Sequence, residues 1–175
     1  MNAHRLAGLI AAAATAGAAA GAAAAPAQTA HDAAVHITAS GADGVKLGKT
    51  YKQLRAEHLI GKIRPGCNLA GPNTRSASLK APLKGQVDFT LTTPRKVTDI
   101  SVSGGATARG VGIGATIPAI KAAFTKAKVD HSTVATFGIT LVKIPKKGGG
   151  RLQFAVDTKT KKATLIGIPF IAFCE

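Results

Sequence analysis

The chain has 175 residues, with 23 Lys and Arg against 8 Asp and Glu, a formal net charge of +15, two Cys, one Tyr, six Phe and no Trp. That length holds one ordinary domain or two small packed ones. The scarcity of aromatics excludes the interleaved cation and ring pattern of single-strand nucleic-acid binders, no helical stretch carries a dense Lys/Arg stripe suited to a major groove, and no specific nucleic-acid partner is expected.

Residues 1–5 carry one firm positive charge, and an uncharged run rich in Ala and Gly follows from Leu6 to Ala30. This is the layout of a secretory signal peptide. Ala25-Pro26-Ala27 supplies the small residues a signal peptidase needs, which places the signal at 1–27 and the mature start near Gln28. The competing reading is a membrane anchor, but Ala and Gly are weakly apolar and no positive stop-transfer flank follows. No Cys follows the run to accept a lipid, and no later stretch is long and apolar enough to span a membrane. The mature chain, with Arg5 removed, keeps a charge of about +14, which draws polyanions or anionic surfaces through long-range, salt-screened forces. Residues 28–42 form an N-terminal segment with a candidate strand through Val35 and Ile37.

Residues 44–58, GVKLGKTYKQLRAEH, are echoed by residues 110–124, GVGIGATIPAIKAAF. Gly44, Val45, Gly48, Thr50 and Ala56 meet Gly110, Val111, Gly114, Thr116 and Ala122 by identity. Thr50 and Thr116 are expected helix N-caps. Behind them Tyr51, Leu54 and His58, and Ile117, Ile120 and Phe124, fall at spacings of three and four, one helical face. His58 is accordingly expected to pack, half-buried. The match continues downstream, Lys80 and Pro82 on Lys143 and Pro145, Phe89 on Phe154 and Ile100 on Ile166. Phe137, Ile139 and Leu141, then Leu152, Phe154 and Val156, then the closing ATLIGIPFIAF, alternate as a three-stranded meander. The expected fold class is α+β: two tandem repeats, 43–105 and 106–175, each a short N-capped helix followed by a three-stranded antiparallel meander. The glycine-rich SGGATARG of residues 103–110 reads as a flexible linker between them.

The second repeat concentrates cations in its turns: Lys143, Lys146, Lys147 and Arg151 around KIPKKGGGR, and Lys159, Lys161 and Lys162 in DTKTKK. These are the candidate anion-binding residues. The acids Asp32, Asp43, Glu57, Asp88, Asp99, Asp130, Asp157 and Glu175 are scattered without a paired-carboxylate signature, and no His/Cys/Asp cluster has metal spacing. No Gly-x-Ser-x-Gly elbow or phosphate loop occurs. Neither a cofactor nor a metal is expected. Cys67 and Cys174 are most simply read as a disulfide in an exported protein, closing a loop of roughly a hundred residues for which chain entropy sets a ceiling of about 4–5 kcal/mol. Two buried free thiols, or a Cys67 activated by His58, are the alternatives.

The Gly-x-x-x-Gly-x-Thr stretch opening a short helix, followed by a meander and then repeated, resembles the modules of the β-lactamase inhibitory proteins and of the SmpA/OmlA envelope lipoproteins, and also secreted actinobacterial proteins. The likeness covers nearly all of residues 43–175. It implies two α+β repeats with sheets side by side and a concave, aromatic-rich face that grips another protein. It also implies a disulfide within each repeat, whereas this chain has one Cys per half, so its bridge would tie the halves together. One Tyr, six Phe and no Trp leave few aromatic anchors for such a face.

The leading expectation is therefore a secreted, non-enzymatic binding module of the cell envelope or extracellular space that engages an anionic polymer or surface. A protein inhibitor that binds another secreted protein through a concave sheet face is the alternative. An undiscovered hydrolase is the third.

Overall fold

The computed structural model describes residues 35–67, 73–146 and 150–173. The expected signal peptide, Lys147 and Cys174 lie outside the described residues. The first strand, β1 (Val35–Thr38), pairs antiparallel with β2 (Gly41–Ala42), which pairs with β3 (Val45–Lys46). Between β2 and β3, Asp43 and Gly44 adopt φ of 43° and 78°, the left-handed pair demanded by a two-residue hairpin turn. The Gly48 N–H then bonds the Val97 carbonyl at 2.9 Å, and Thr50 starts α1 (Tyr51–Ala56). Thr50 Oγ1 accepts from the Gln53 N–H at 3.2 Å while Gln53 Oε1 accepts the Thr50 N–H at 2.9 Å, a reciprocal cap that satisfies two otherwise orphaned donors. So short a helix is held by packing rather than propensity, and its Leu54 is fully buried. Four antiparallel strands follow: β4 (Arg64–Pro65), β5 (Arg75–Ser78), β6 (Lys84–Phe89) and β7 (Val97–Gly104).

The chain then repeats the opening. A hairpin of β8 (Ala106–Ala108) and β9 (Val111–Gly112) turns at Arg109-Gly110 with φ of 49° and 78°. The Gly114 N–H bonds the Ala163 carbonyl at 2.8 Å. Thr116 caps α2 (Ile117–Ala123), with Pro118 in the first turn, where its missing N–H leaves no bond unmade. Then come β10 (Lys128–Asp130), α3 (Val134–Phe137), β11 (Ile139–Pro145), β12 (Arg151–Asp157) and β13 (Ala163–Ile168).

The strands form two sheets. The smaller has the order β3-β2-β1-β8-β9, with β1 parallel to β8 so that it joins the two hairpins. The larger has the order β10-β11-β12-β13-β7-β6-β5-β4, and the two runs meet at its centre, where Ile100 faces Ile168 and Val102 faces Ile166. Leu54 and Ile120 from the helices, Val45 and Ala108 from the small sheet, and Val87, Ile100, Val142, Phe154 and Ile166 from the large one belong to a single buried cluster. The opposite face carries a smaller cluster of Leu141, Ala155 and Ile171.

This architecture overturns the expected α+β fold of two tandem helix-plus-meander repeats. The described residues are mostly strand, 46% against 13% helix, in sheets of five and eight strands with three short helices among them. The physical reason is that neither helix buries its face on a sheet of its own: both lie on one continuous core. Each run along the large sheet has four strands rather than three. Local readings fall with it. Residues 103–110 are no linker, since they complete β7 and build β8, with Ala106 and Ala108 buried. Phe137 lies in α3, not in a strand. His58 is exposed, with φ of 58°, because α1 ends at Ala56 and the chain turns so that Ile60 enters the core in its place.

Candidate anion-binding site

One end of the large sheet gathers basic side chains from five segments. The register sets Lys128 of β10 opposite Lys143 of β11, Lys143 opposite Gln153, and Pro145 opposite Arg151 of β12. Side chains alternate along a strand, so Lys143 and Arg151 share the face away from the helices while Ile144 and Lys146 take the helix side. A cavity of about 250 Å³ is lined by Lys128, Lys143, Ile144, Pro145 and Arg151. A second, of about 300 Å³, has Lys146, His36 of β1 and Arg109 of the β8–β9 turn on its walls, with Ile37, Phe124, Ile144 and Leu152. The two cavities share Ile144 and Pro145. The sheet end thus presents basic groups on both of its faces.

Asp130 is the carboxylate placed among them. It is paired with Lys143 and accepts the Ser132 N–H at 2.9 Å, and these contacts, the Lys143 bond foremost, hold its carboxyl well below the usual carboxylate range. Its charge offsets Lys143 and leaves Lys128, Lys146, Arg151 and Arg109 uncompensated by it. Arg109 is pinned: its guanidinium carbon lies 5.3 Å from the Phe124 ring centroid, a cation–π arrangement, and Nη1 donates to the Ala123 carbonyl at 3.4 Å.

The other sequence candidates are placed elsewhere. Lys147 lies outside the described residues. Lys159, Lys161 and Lys162 sit in the β12–β13 turn, at the far end of β12 from Arg151 and about 20 Å away at the rise of an extended strand. They are exposed and line neither cavity. The Asp157 carboxylate organises their turn by accepting the N–H groups of Thr160 at 2.7 Å and Lys159 at 3.1 Å, and its pKa is lowered, chiefly by Thr160. Thr50 and Thr116 cap their helices and touch neither cavity.

A carboxylate pair escaped the sequence reading. The β5–β6–β7 register aligns Ser76, Asp88 and Asp99 in one row, with Arg64 of β4 beyond Ser76. Asp99 is 4% exposed; the Thr98 hydroxyl donates to its Oδ2 at 3.0 Å, and its Oδ1 has no hydrogen-bond partner. The Ser76 hydroxyl donates to Asp88 Oδ1. Burial, and then the Asp88 charge, push Asp99 up to about 7. The signal in the sequence was the hairpin across residues 90–96, whose register alone makes positions 88 and 99 neighbours. A groove of about 550 Å³ lies on the same sheet face, lined by Gly85, Gln86, Ser101, Ser103, Leu165, Ala172 and Phe173; Asp99 is not on its wall.

The expected Cys67–Cys174 bridge reaches past the described residues, since Cys174 lies outside them. Cys67 is buried with its Sγ 3.8 Å from the Phe173 carbonyl oxygen, which brings the last described residue of the chain to it. Among the described residues no cysteine is free. The bridged protein is expected to weigh two hydrogens less before reduction than after it by intact-mass spectrometry; equal masses would remove the bridge.

Among the described residues no group of three or more His, Cys, Asp or Glu is gathered to hold a metal ion, and no helix is long and apolar enough to cross a membrane. No protein-family model, curated protein or solved structure matches the chain.

Proposed function

We propose that this chain is an exported, non-enzymatic binding module whose cationic sheet end holds an anionic polymer or surface of the cell envelope. The supporting observation is the convergence of Lys128, Lys143, Lys146, Arg151, Arg109 and His36, from segments far apart in sequence, around two adjoining cavities with Asp130 as their acid. A polymer with repeated negative groups engages several such cations at once and releases its counterions on binding, so its hold weakens steeply with salt. Lys128 stands opposite Lys143, whose charge Asp130 already offsets, so Lys128 keeps its own charge for an anionic ligand.

Nothing comparable supports the two other readings. The sheet face that would serve a protein inhibitor is crossed by the chain's own C-terminal segment: the Ile171 N–H bonds Gln153 Oε1 at 3.1 Å, and Phe173 stacks on Phe137 at 4.6 Å between centroids. A hydrolase would need its perturbed carboxyl, Asp99, on a cavity wall.

The test is retention on immobilised polyphosphate along a salt gradient. Lys128→Gln/Lys146→Gln/Arg151→Gln, which spares the Lys143–Asp130 pair, is expected to elute at lower salt than the parent, with a log–log salt slope shallower by about 2. Lys159→Gln/Lys161→Asn/Lys162→Gln removes the same charge at the opposite end and should elute close to the parent. Equal elution of the two variants would reduce the reading to net charge and overturn it.

A further inference from the structure

The cavity on the helix side of the sheet end differs from its neighbour in what lies at its bottom. Ile37, Leu152, Phe124 and Ile144 are 3%, 4%, 9% and 9% exposed, whereas His36, Arg109 and Lys146 on the same wall are exposed. Apolar surface thus lies deep and basic groups lie at the lip. The wall is closed on one side by the approach of the β11–β12 hairpin to the end of β1, where a Cβ built on Gly150 would stand 3.3 Å from Ala39 Cβ and 3.5 Å from Lys146 Cδ. Arg109 is held at the lip before any ligand arrives, by Phe124 beneath it and by the Ala123 carbonyl.

From this we infer that the cavity takes an anionic amphiphile, a phosphate or carboxylate head on a single aliphatic chain, with the head at Arg109 and Lys146 and the first methylenes against Ile37, Phe124, Ile144 and Leu152. An inorganic anion would meet the lip and leave the apolar floor wet. A neutral chain would cover the floor and leave the cations unanswered. A molecule with both parts satisfies both, and burial of each methylene contributes about fourfold in affinity. The volume sits at the small end of the range for ligand pockets, enough for one chain and its head rather than for a bilayer surface. The inference deepens the reading above, since it rests on the sheet end being an anion site, and it names the chemistry of that site's inner half.

The test titrates the mature chain with octyl phosphate below its micellar concentration, with glycerol phosphate as the head without the chain and octyl glucoside as the chain without the charge. Octyl phosphate is expected to bind at least about tenfold more tightly than either, and to shift the methyl resonances of Ile37, Ile144 and Leu152. Ala39→Trp, which fills the mouth without touching a charge, should abolish that advantage while keeping the parent's retention on polyphosphate; Ala39→Leu serves if the larger side chain prevents folding. Arg109→Asn, which suits the left-handed turn position, should narrow the advantage of octyl phosphate over octyl glucoside, and Arg109→Asn/Lys146→Gln should remove it. Octyl phosphate no tighter than glycerol phosphate, with polyphosphate retention intact, would overturn this inference alone. Salt-insensitive retention would overturn the earlier reading. Phosphatidylglycerol vesicles distinguish the source of the head: binding to them that Ala39→Trp leaves unchanged, together with no octyl phosphate advantage, would assign the cations to a membrane surface and overturn the cavity.

Discussion

Asp99→Asn is expected to stabilise the protein by about 3 kcal/mol at pH 8 and to flatten its stability between pH 4 and pH 7. The unfolded chain gives up this proton near 3.8, whereas the folded chain keeps it to about 7. Between those values the native state binds the extra proton, so the contribution of Asp99 is fully present below pH 4 and is lost as pH rises through about 7. Each pH unit in that window costs about 1.4 kcal/mol, and the whole span about 4 kcal/mol. The direction follows from position. Asp99 is buried, Asp88 stands opposite it, and its Oδ1 has nothing to accept from; ionised, it adds a second negative charge to a site that already holds one, while the Arg64 guanidinium at the far end of the row is bonded to Gln86. An Asn amide keeps the donor and discards the charge. Urea titrations from pH 4 to pH 9 read the effect, and equal pH slopes for parent and variant would sink it.

Gly105→Ala is expected to destabilise by more than about 4 kcal/mol, the range in which a named steric mechanism is required. Gly105 carries the chain from β7 of the large sheet to β8 of the small one at φ of 76°, and a Cβ there would lie 1.9 Å from the Pro82 carbonyl oxygen. Gly114 is the internal control. Its φ is 87°, but a Cβ built there meets nothing within 4 Å, so Gly114→Ala should cost only the left-handed strain of about 1–2 kcal/mol. Denaturant midpoints of the two variants separate collision from strain. A Gly105→Ala loss no larger than that of Gly114→Ala would show that the crossover gives way easily.

What could be read from the residues was what neighbours along the chain decide. Thr50 followed by Gln53, and Thr116 followed by Pro118, carry the capping chemistry in their own side chains, and Phe89, Phe154 and Ile120 announce the core through spacing. Lys143, Lys146 and Arg151 come to one strand end because they flank one glycine-rich turn. The rest depended on sheet order. Strands of two residues, such as Val45–Lys46 and Val111–Gly112, are too short to display a period, so the Asp43-Gly44 turn, a strong hairpin signal, passed as part of a helix approach. His36, Arg109 and Lys128 join the site only because β1 lies beside β8 and β10 beside β11. Asp88 and Asp99 meet only through register, and a slip of one residue would have sent the pair to opposite faces.

The large sheet starts and finishes on stubs. Its outermost members are Arg64–Pro65 and Lys128–Asp130, two and three residues long. Proline has no N–H to offer an incoming strand, and flanking charges repel a second copy laid alongside. A protein with nearly half of its described residues on extended backbone thereby shows the surrounding medium little template for fibrous growth, and its long inner strands, β7 and β12, stay shielded from strangers by their own kin.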